Sequence, residues 1–165
     1  MDARERLPFF GVGPYFFVGV MALAGGCLWL GRAFPGLCLG ANSSWRLPCQ
    51  VLGAALAAGG AFLWLGALIG ARLARHVREN RLVTTGVYAY VRNPIYAAFT
   101  FLGAGALAFQ ANALVLAFYP LCWLALTLMV RLTEEKWLAE RFGDAYAAYR
   151  RRVNRCLPWF PKSQD

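Results

Sequence analysis

Three long apolar runs determine how this chain is expected to fold. Uncharged side chains extend from Leu7 to Gly31, from Leu47 to Ala71 and from Asn93 to Val130. The first two runs have 25 residues each, which is enough for one tilted membrane-spanning helix apiece. Soluble helices of this length carry a polar stripe, and these runs do not. The pattern therefore predicts a membrane protein and not a soluble core.

The third run is too long for a single crossing. Its 38 residues would form a helix about 57 Å long, nearly twice the ~30 Å hydrocarbon core. The polar cluster Gln110-Ala111-Asn112 lies near its centre, so we expect an antiparallel helical hairpin that turns there. The predicted spans are about 14–30, 49–69, 94–110 and 112–130.

The predicted fold class is all-α. Residues 1–165 are expected to form one polytopic membrane domain with about four transmembrane helices, followed by a cytoplasmic C-terminal helical segment. Gly103 and Gly105, and the small residues between Gly53 and Ala61, are interpreted as close helix packing, because small residues let helices approach closely in lipid.

The distribution of basic residues gives the orientation. Of the 17 lysines and arginines, 15 fall on one predicted side and two, Arg32 and Arg46, fall on the other. The positive-inside rule then places both termini in the cytoplasm. Topology and anionic membrane lipids account for the basic excess, so no nucleic-acid partner is predicted. Arginine outnumbers lysine 15 to 2, which suggests a bacterial source and thus a bacterial inner membrane.

The metal-binding residue types form no recognisable site. The five cysteines include no C-x-x-C pair and lie at different predicted depths, so neither a disulfide framework nor a metal site is expected. His76 is the only histidine. On a basic helix it is interpreted as an interfacial residue.

Charged residues of opposite sign are expected to meet at one membrane surface. The hairpin returns the chain to the side from which it came, so Arg92 and the pair Glu134-Glu135 should lie within reach of one another. Three simpler interpretations stay open. Arg92 would be one more topology signal, Glu135 would pair with Arg131 four residues before it, and the nearby tyrosines would form an interfacial belt.

Three motifs in this order resemble a known family. They are Gly86-x-Tyr88-x-Tyr90-Val91-Arg92-Asn93-Pro94-Ile95-Tyr96, then Glu134-Glu135, then Phe142-Gly143-x-x-Tyr146-x-x-Tyr149 with a trailing Pro158. The pattern resembles the isoprenylcysteine carboxyl methyltransferases and their phospholipid methyltransferase relatives, over residues 84–160. That half is the expected cofactor-binding and catalytic half. The family usually has histidine where Asn93 stands, and asparagine cannot titrate near neutrality.

The resemblance implies an integral membrane methyltransferase that uses S-adenosylmethionine and acts on a lipophilic or small acceptor at the cytoplasmic face. Arg92 would hold the cofactor carboxylate, and Glu134 or Glu135 would accept from its ammonium or ribose. Arg92 and Glu135 are the expected catalytic residues. The expected cofactor-binding residues are Tyr88, Tyr90, Arg92, Asn93, Pro94, Tyr96, Glu134, Glu135, Tyr146 and Tyr149.

Other functions fit the sequence less well. A sterol-reductase-like protein that binds NADPH shares a similar C-terminal pattern, but Ala97 and Ala98 stand where a further acidic residue would be expected. A small transporter would be expected to place a charge within the membrane, and the uncharged spans hold none of the eight acidic residues. A scaffold role stays open, as do the methyl acceptor and the oligomeric state.

Overall fold

The described part of the chain is helical. The computed structural model describes residues 13–40, 43–70 and 82–161, and the predicted all-α fold is confirmed in these ranges. Their α-helices are α1 Gly13–Ala33, α2 Arg46–Leu65, α3 Pro94–Phe109, α4 Val115–Leu132 and α5 Glu134–Arg152. Shorter helical turns are Pro35–Leu37, Gly66–Gly70 and Gly86–Ala89. His76 and the arginines of residues 71–81 lie outside the described residues.

The helices have the length and composition of membrane spans. Within the described ranges, α1, the segment Arg46–Leu68 and α4 are long and apolar enough to cross a bilayer, and α3 is a shorter apolar helix of 16 residues. Large apolar side chains are widely exposed on these helices, as at Tyr15, Phe62 and Leu116. Exposed apolar surface of this extent fits lipid as the surrounding solvent. The predicted polytopic membrane fold is thus confirmed.

Glycines bring α2 and α3 into direct backbone contact. A Cβ built on Gly53 would lie 2.4 Å from the Phe109 amide nitrogen and 2.7 Å from the Gly105 carbonyl oxygen. One on Gly60 would lie 2.9 Å from the Ala98 carbonyl oxygen. The expected packing role of these small residues is therefore seen, and α3 is held against α2 along its length.

The turn between α3 and α4 lies at the predicted polar cluster. Ala111 adopts a left-handed backbone conformation, φ 54°, and Asn112 is 1% exposed. The Asn112 carboxamide nitrogen donates to the Cys27 carbonyl at 2.9 Å, and its oxygen accepts from the Leu114 amide at 3.0 Å. Leu39 donates its backbone N–H to the Ala111 carbonyl at 3.0 Å. The turn thus also fixes the end of α1 and the loop after it.

The chain changes direction twice after α4. Thr133, with φ −123° and ψ −84°, separates α4 from α5. Gly143, with φ 48° and ψ −123°, divides α5 into two parts. After Arg152 the chain becomes extended at Val153 and runs back along residues 90–93. We call residues 153–161 the C-terminal strap.

Candidate active site

Local sequence fixes the position of Arg92. Gly86 has φ 62° and opens the short helical turn that ends at Ala89. Asn93 is extended, with φ −125°, because the proline that follows disfavours helical geometry. Pro94 then starts α3, where its missing N–H costs nothing. Arg92 is thereby placed at the entrance to α3, facing the start of α5.

Arg92 and Glu135 lie close together, as the hairpin predicted, and they form a buried ion pair. The Arg92 Nη1 atom lies 2.7 Å from Glu135 Oε1, and the side chains are 8% and 6% exposed. Arg92 also donates from Nε to the Val153 carbonyl at 3.0 Å and from Nη1 to the Tyr146 hydroxyl at 3.3 Å. Glu135 therefore pairs with Arg92 instead of relying on Arg131, which is exposed.

A second arginine, which the sequence analysis missed, shares Glu135. Arg155 donates from Nε to Oε1 at 2.7 Å and from Nη2 to Oε2 at 3.1 Å, which is a two-point contact. This contact raises the pKa of Arg155. The chain after α5 carries no periodic pattern that would show where it returns. The only available signal was a basic residue three positions before the motif proline Pro158.

The strap is joined to the motif by backbone hydrogen bonds. The Arg92 and Asn93 amides donate to the Asn154 and Arg155 carbonyls at 2.8 and 3.2 Å, and Val91 and Asn154 form a parallel β-bridge. The Asn93 side chain adds a bond from Nδ2 to the Arg155 carbonyl at 3.0 Å. Asn93 thus has a structural task that a carboxamide can perform without titrating.

The two neighbouring glutamates face different partners. Successive residues of a helix point about 100° apart, and both lie in the first turn of α5. Glu135 faces the arginines, while Glu134 accepts a hydrogen bond from the hydroxyl of Tyr96 in α3. The Tyr96 ring in turn packs edge-on against Phe16 of α1, with 5.3 Å between the ring centroids. The start of α5 is therefore tied to both α3 and α1.

The other predicted tyrosines divide into two groups. Tyr88 is buried, and its carbonyl accepts from the Tyr149 hydroxyl at 2.7 Å. Tyr146 is buried beside Arg92, and burial, with the charge of Glu135, raises the pKa of its hydroxyl. Tyr90 lies differently: it is 47% exposed, and its ring faces Phe160, with 6.2 Å between the centroids. Tyr88, Tyr146 and Tyr149 are thus brought together, and Tyr90 faces outwards.

The charge state of Glu135 follows from its neighbours. Burial alone would raise the pKa of its carboxyl group, but the Arg155 hydrogen bond and the charges of Arg92, Arg155 and Arg150 hold the pKa below its ordinary value. Glu135 is therefore a carboxylate at neutral pH. Together with Arg92, Arg155 and Tyr146 it forms what we call the ionic cluster.

A cleft lies beside the ionic cluster, between α3 and α4. Its internal volume is only about 10 Å³, and it is lined by Ala97, Thr100, Phe101, Tyr119, Trp123, Leu126 and Cys156. The lining is largely apolar, and Cys156 directly follows Arg155. That volume is about the space of one water molecule and far below the ~300–1,000 Å³ of typical ligand pockets, so the cleft marks a surface groove and not a preformed pocket. Among the described residues, no three potential metal ligands are grouped, and the five cysteines are free thiols.

Comparison with known proteins identifies the family. A family model described as phospholipid methyltransferase matches residues 48–145, more than half of the chain. The chain belongs to the phospholipid methyltransferase family. The matched region includes Arg92, Glu134 and Glu135 but ends before Arg155. The resemblance derived from the motifs is therefore confirmed.

A curated protein is similar to part of this chain. The protein-S-isoprenylcysteine O-methyltransferase of Schizosaccharomyces pombe (strain 972 / ATCC 24843) is 35% identical to this chain over 85 residues. The aligned part is 51% of this chain and 36% of that protein. The chain thus spans about a third of the length of the curated relative. No solved structure is significantly similar to the chain.

Proposed function

We propose that this chain is a membrane methyltransferase that moves a methyl group from S-adenosylmethionine to a lipophilic acceptor at the cytoplasmic membrane face. One observation carries the proposal. The ionic cluster lies at the end of the apolar α3–α4 hairpin, and two of its members, Arg92 and Glu135, are motif residues inside the region that the family model matches. A charged, water-soluble cofactor and a lipid-borne acceptor can meet only at such a boundary.

The residues of the ionic cluster fit the cofactor by charge and shape. Its two arginines and one glutamate favour an anionic group, and the cofactor's amino-acid part carries a carboxylate, which arginine binds with directed hydrogen bonds. The buried rings of Tyr88 and Tyr146 and the half-buried ring of Tyr149 would offer aromatic faces to adenine or to a cation. Glu134 directly precedes Glu135, and it accepts a hydrogen bond from Tyr96 in the first turn of α3.

The chain's own contribution to the reaction is positioning. S-adenosylmethionine, when bound, supplies an electrophilic methyl group on a sulfonium cation. A single displacement needs no nucleophile from the protein. Arg92 and the tyrosines would hold the donor in line with the acceptor, and alignment of two bound reactants can account for about 7–11 kcal/mol of a barrier. The burial of Arg92 and Glu135 keeps bulk water away from this end.

The acceptor is proposed to reach the site from the lipid. The cleft between α3 and α4 is bordered by Trp123, which is 46% exposed on a membrane helix. Its inner wall, Cys156, is the neighbour of Arg155. An acyl or prenyl chain that lay along the outside of this cleft would bring its polar end beside the ionic cluster. The isoprenylcysteine in the name of the Schizosaccharomyces pombe relative has the same combination of apolar chain and polar end.

Ligand binding tests the proposed function. In calorimetric titration of the purified protein, we expect S-adenosylhomocysteine to bind and NADPH not to bind, because the ionic cluster matches an amino-acid carboxylate. Transfer of labelled methyl groups to an isoprenylated cysteine and to an amine-headgroup phospholipid then separates the acceptor classes. Binding of NADPH without S-adenosylhomocysteine would replace the methyltransferase proposal by a reductase.

The cytoplasmic location of the site is tested separately. We propose that α5 and the strap lie on the cytoplasmic side of a bacterial inner membrane, and the 15-to-2 distribution of basic residues supports this orientation. A green fluorescent protein fused to the C-terminus should fluoresce, and a fused alkaline phosphatase should be inactive. An active phosphatase fusion together with a non-fluorescent green fluorescent protein fusion would show that the C-terminus lies on the opposite side of the membrane.

A further inference from the structure

The positive and negative charges of the ionic cluster are not equal in number. Two guanidinium groups contact one carboxylate, so Arg92, Arg155 and Glu135 together carry one excess positive charge. The other contacts of Arg92 are neutral: the Val153 carbonyl and the Tyr146 hydroxyl. The side chains of Arg92, Glu135 and Arg155 are only 8%, 6% and 21% exposed. An excess charge at this depth is costly unless an anion accompanies it.

The two arginines share the carboxylate unequally. Arg155 contacts both oxygens of Glu135, at 2.7 and 3.1 Å, in the two-point geometry that fits guanidinium to carboxylate. Arg92 contacts one oxygen through one nitrogen. Arg155 is therefore the principal partner of Glu135, and the excess charge is located mainly on Arg92.

The Arg155 side chain is not needed to hold the strap in place. The strap is bonded to the motif through backbone atoms and through Asn93, including two bonds to the Arg155 carbonyl and one from the Trp159 amide to the Tyr90 carbonyl at 3.1 Å. These bonds do not involve the Arg155 guanidinium. Its contact with Glu135 therefore has a purpose other than attachment of the strap.

We propose that Arg155 is a positioning residue for cofactor binding: it engages the Glu135 carboxylate at two points, so that the charge of Arg92 stays available to the carboxylate of S-adenosylmethionine. This inference rests on the proposed methyltransferase function. Without Arg155, Arg92 would be the sole partner of Glu135, and Glu135 would compete with the cofactor carboxylate for the Arg92 guanidinium.

The test compares two ligands that differ in one group. Dissociation constants are measured for S-adenosylhomocysteine and for its decarboxylated analogue, which keeps the adenosine, the thioether and the amine. Arg155→Ala should raise the dissociation constant of S-adenosylhomocysteine at least about 10-fold, which is the usual effect of a lost charge-assisted contact. It should change the dissociation constant of the analogue less than about threefold. Arg155→Lys, which keeps the charge but loses the two-point contact, should give an intermediate loss. Arg152→Ala, at an exposed neighbouring arginine, is the matched control and should leave both constants unchanged.

A second variant separates the electrostatic role from a structural one. Arg155→Ala combined with Glu135→Gln removes one positive and one negative charge, so the net charge of the ionic cluster is that of the wild type. We expect affinity for S-adenosylhomocysteine to return to within about threefold of wild type. If Arg155→Ala weakened the binding of both ligands equally, or if affinity did not recover in the double variant, the positioning role of Arg155 would be overturned. The proposed methyltransferase function would still stand. Wild-type protein that binds neither ligand would overturn the methyltransferase function and this inference with it.

Discussion

Replacing Glu135 by alanine is expected to lower the free energy of unfolding by about 3–5 kcal/mol. The change leaves Arg92 and Arg155 buried without their shared carboxylate, and removal of one member of a buried ion pair costs about that much. Thermal melting in detergent measures the loss. Glu140→Ala, at an exposed acid on the same helix, is the matched control and should stay within about 0.5 kcal/mol of wild type.

Acid should reduce the difference between wild type and the Glu135→Ala variant. The pKa of Glu135 is lowered in the folded protein, so its contribution is fully present above the unfolded value of about 4.3. It is lost as the pH falls through the lower, folded pKa. The two melting temperatures should therefore converge below about pH 4. If the difference in melting temperature persisted unchanged in acid, the stabilisation by Glu135 would come from packing and not from its charge.

Arg92→Ala is expected to impair ligand binding more than it impairs stability. Glu135 keeps its two-point contact with Arg155 in that variant, so we expect a smaller loss of stability than in Glu135→Ala. Affinity for S-adenosylhomocysteine should fall at least about 10-fold, because a charge-assisted contact to the ligand is removed. Wild-type affinity in Arg92→Ala would falsify the assignment of Arg92 to the cofactor carboxylate.

Replacing Gly53 by alanine is expected to be the most damaging small change within the membrane. Its new methyl group would lie 2.4 Å from the Phe109 backbone nitrogen and 2.7 Å from the Gly105 carbonyl oxygen, and backbone cannot rotate away. Helices α2 and α3 would have to separate. We expect a loss of about 3 kcal/mol or more, at the upper end of the cost of overpacking.

The same helix provides the control for Gly53. A Cβ on Gly59 would meet nothing nearer than Phe101 Cδ2 at 3.9 Å. Gly59→Ala should therefore be neutral or stabilising by up to about 1 kcal/mol, from the better helix propensity of alanine. Both variants are compared by melting in the same detergent. Equal melting of the two would show that α2 and α3 do not touch at Gly53.

The sequence was sufficient to predict that Arg92 lies near the two glutamates. Run length and one polar cluster place a turn at residues 110–112, and a hairpin returns its ends to one side whatever its side-chain packing. Sequence left open which glutamate pairs with Arg92, because that depends on where α5 begins. Once Thr133 ends α4, the rotation of about 100° between neighbours directs Glu134 to Tyr96 and Glu135 to Arg92.

The role of Arg155 could not be predicted in this way. Its position depends on backbone hydrogen bonds between the strap and residues 90–93, and every residue except proline can donate such bonds. Periodicity reports which face of a helix is apolar, but it says nothing about an irregular segment of nine residues such as the strap. The buried role of Asn112 was likewise missed, since a polar residue in a turn is usually solvated.

Asn112 makes the two ends of this bundle respond differently to their surroundings. At the turn it joins α1 to the hairpin with an uncharged carboxamide, whose bonds to Cys27 and Leu114 do not change between mild acid and neutrality. At the other end Glu135 joins α3, α5 and the strap with full charges. Protonation of Glu135 in strong acid is therefore expected to weaken the contacts at its end of the bundle, while the contacts of Asn112 at the other end are unchanged.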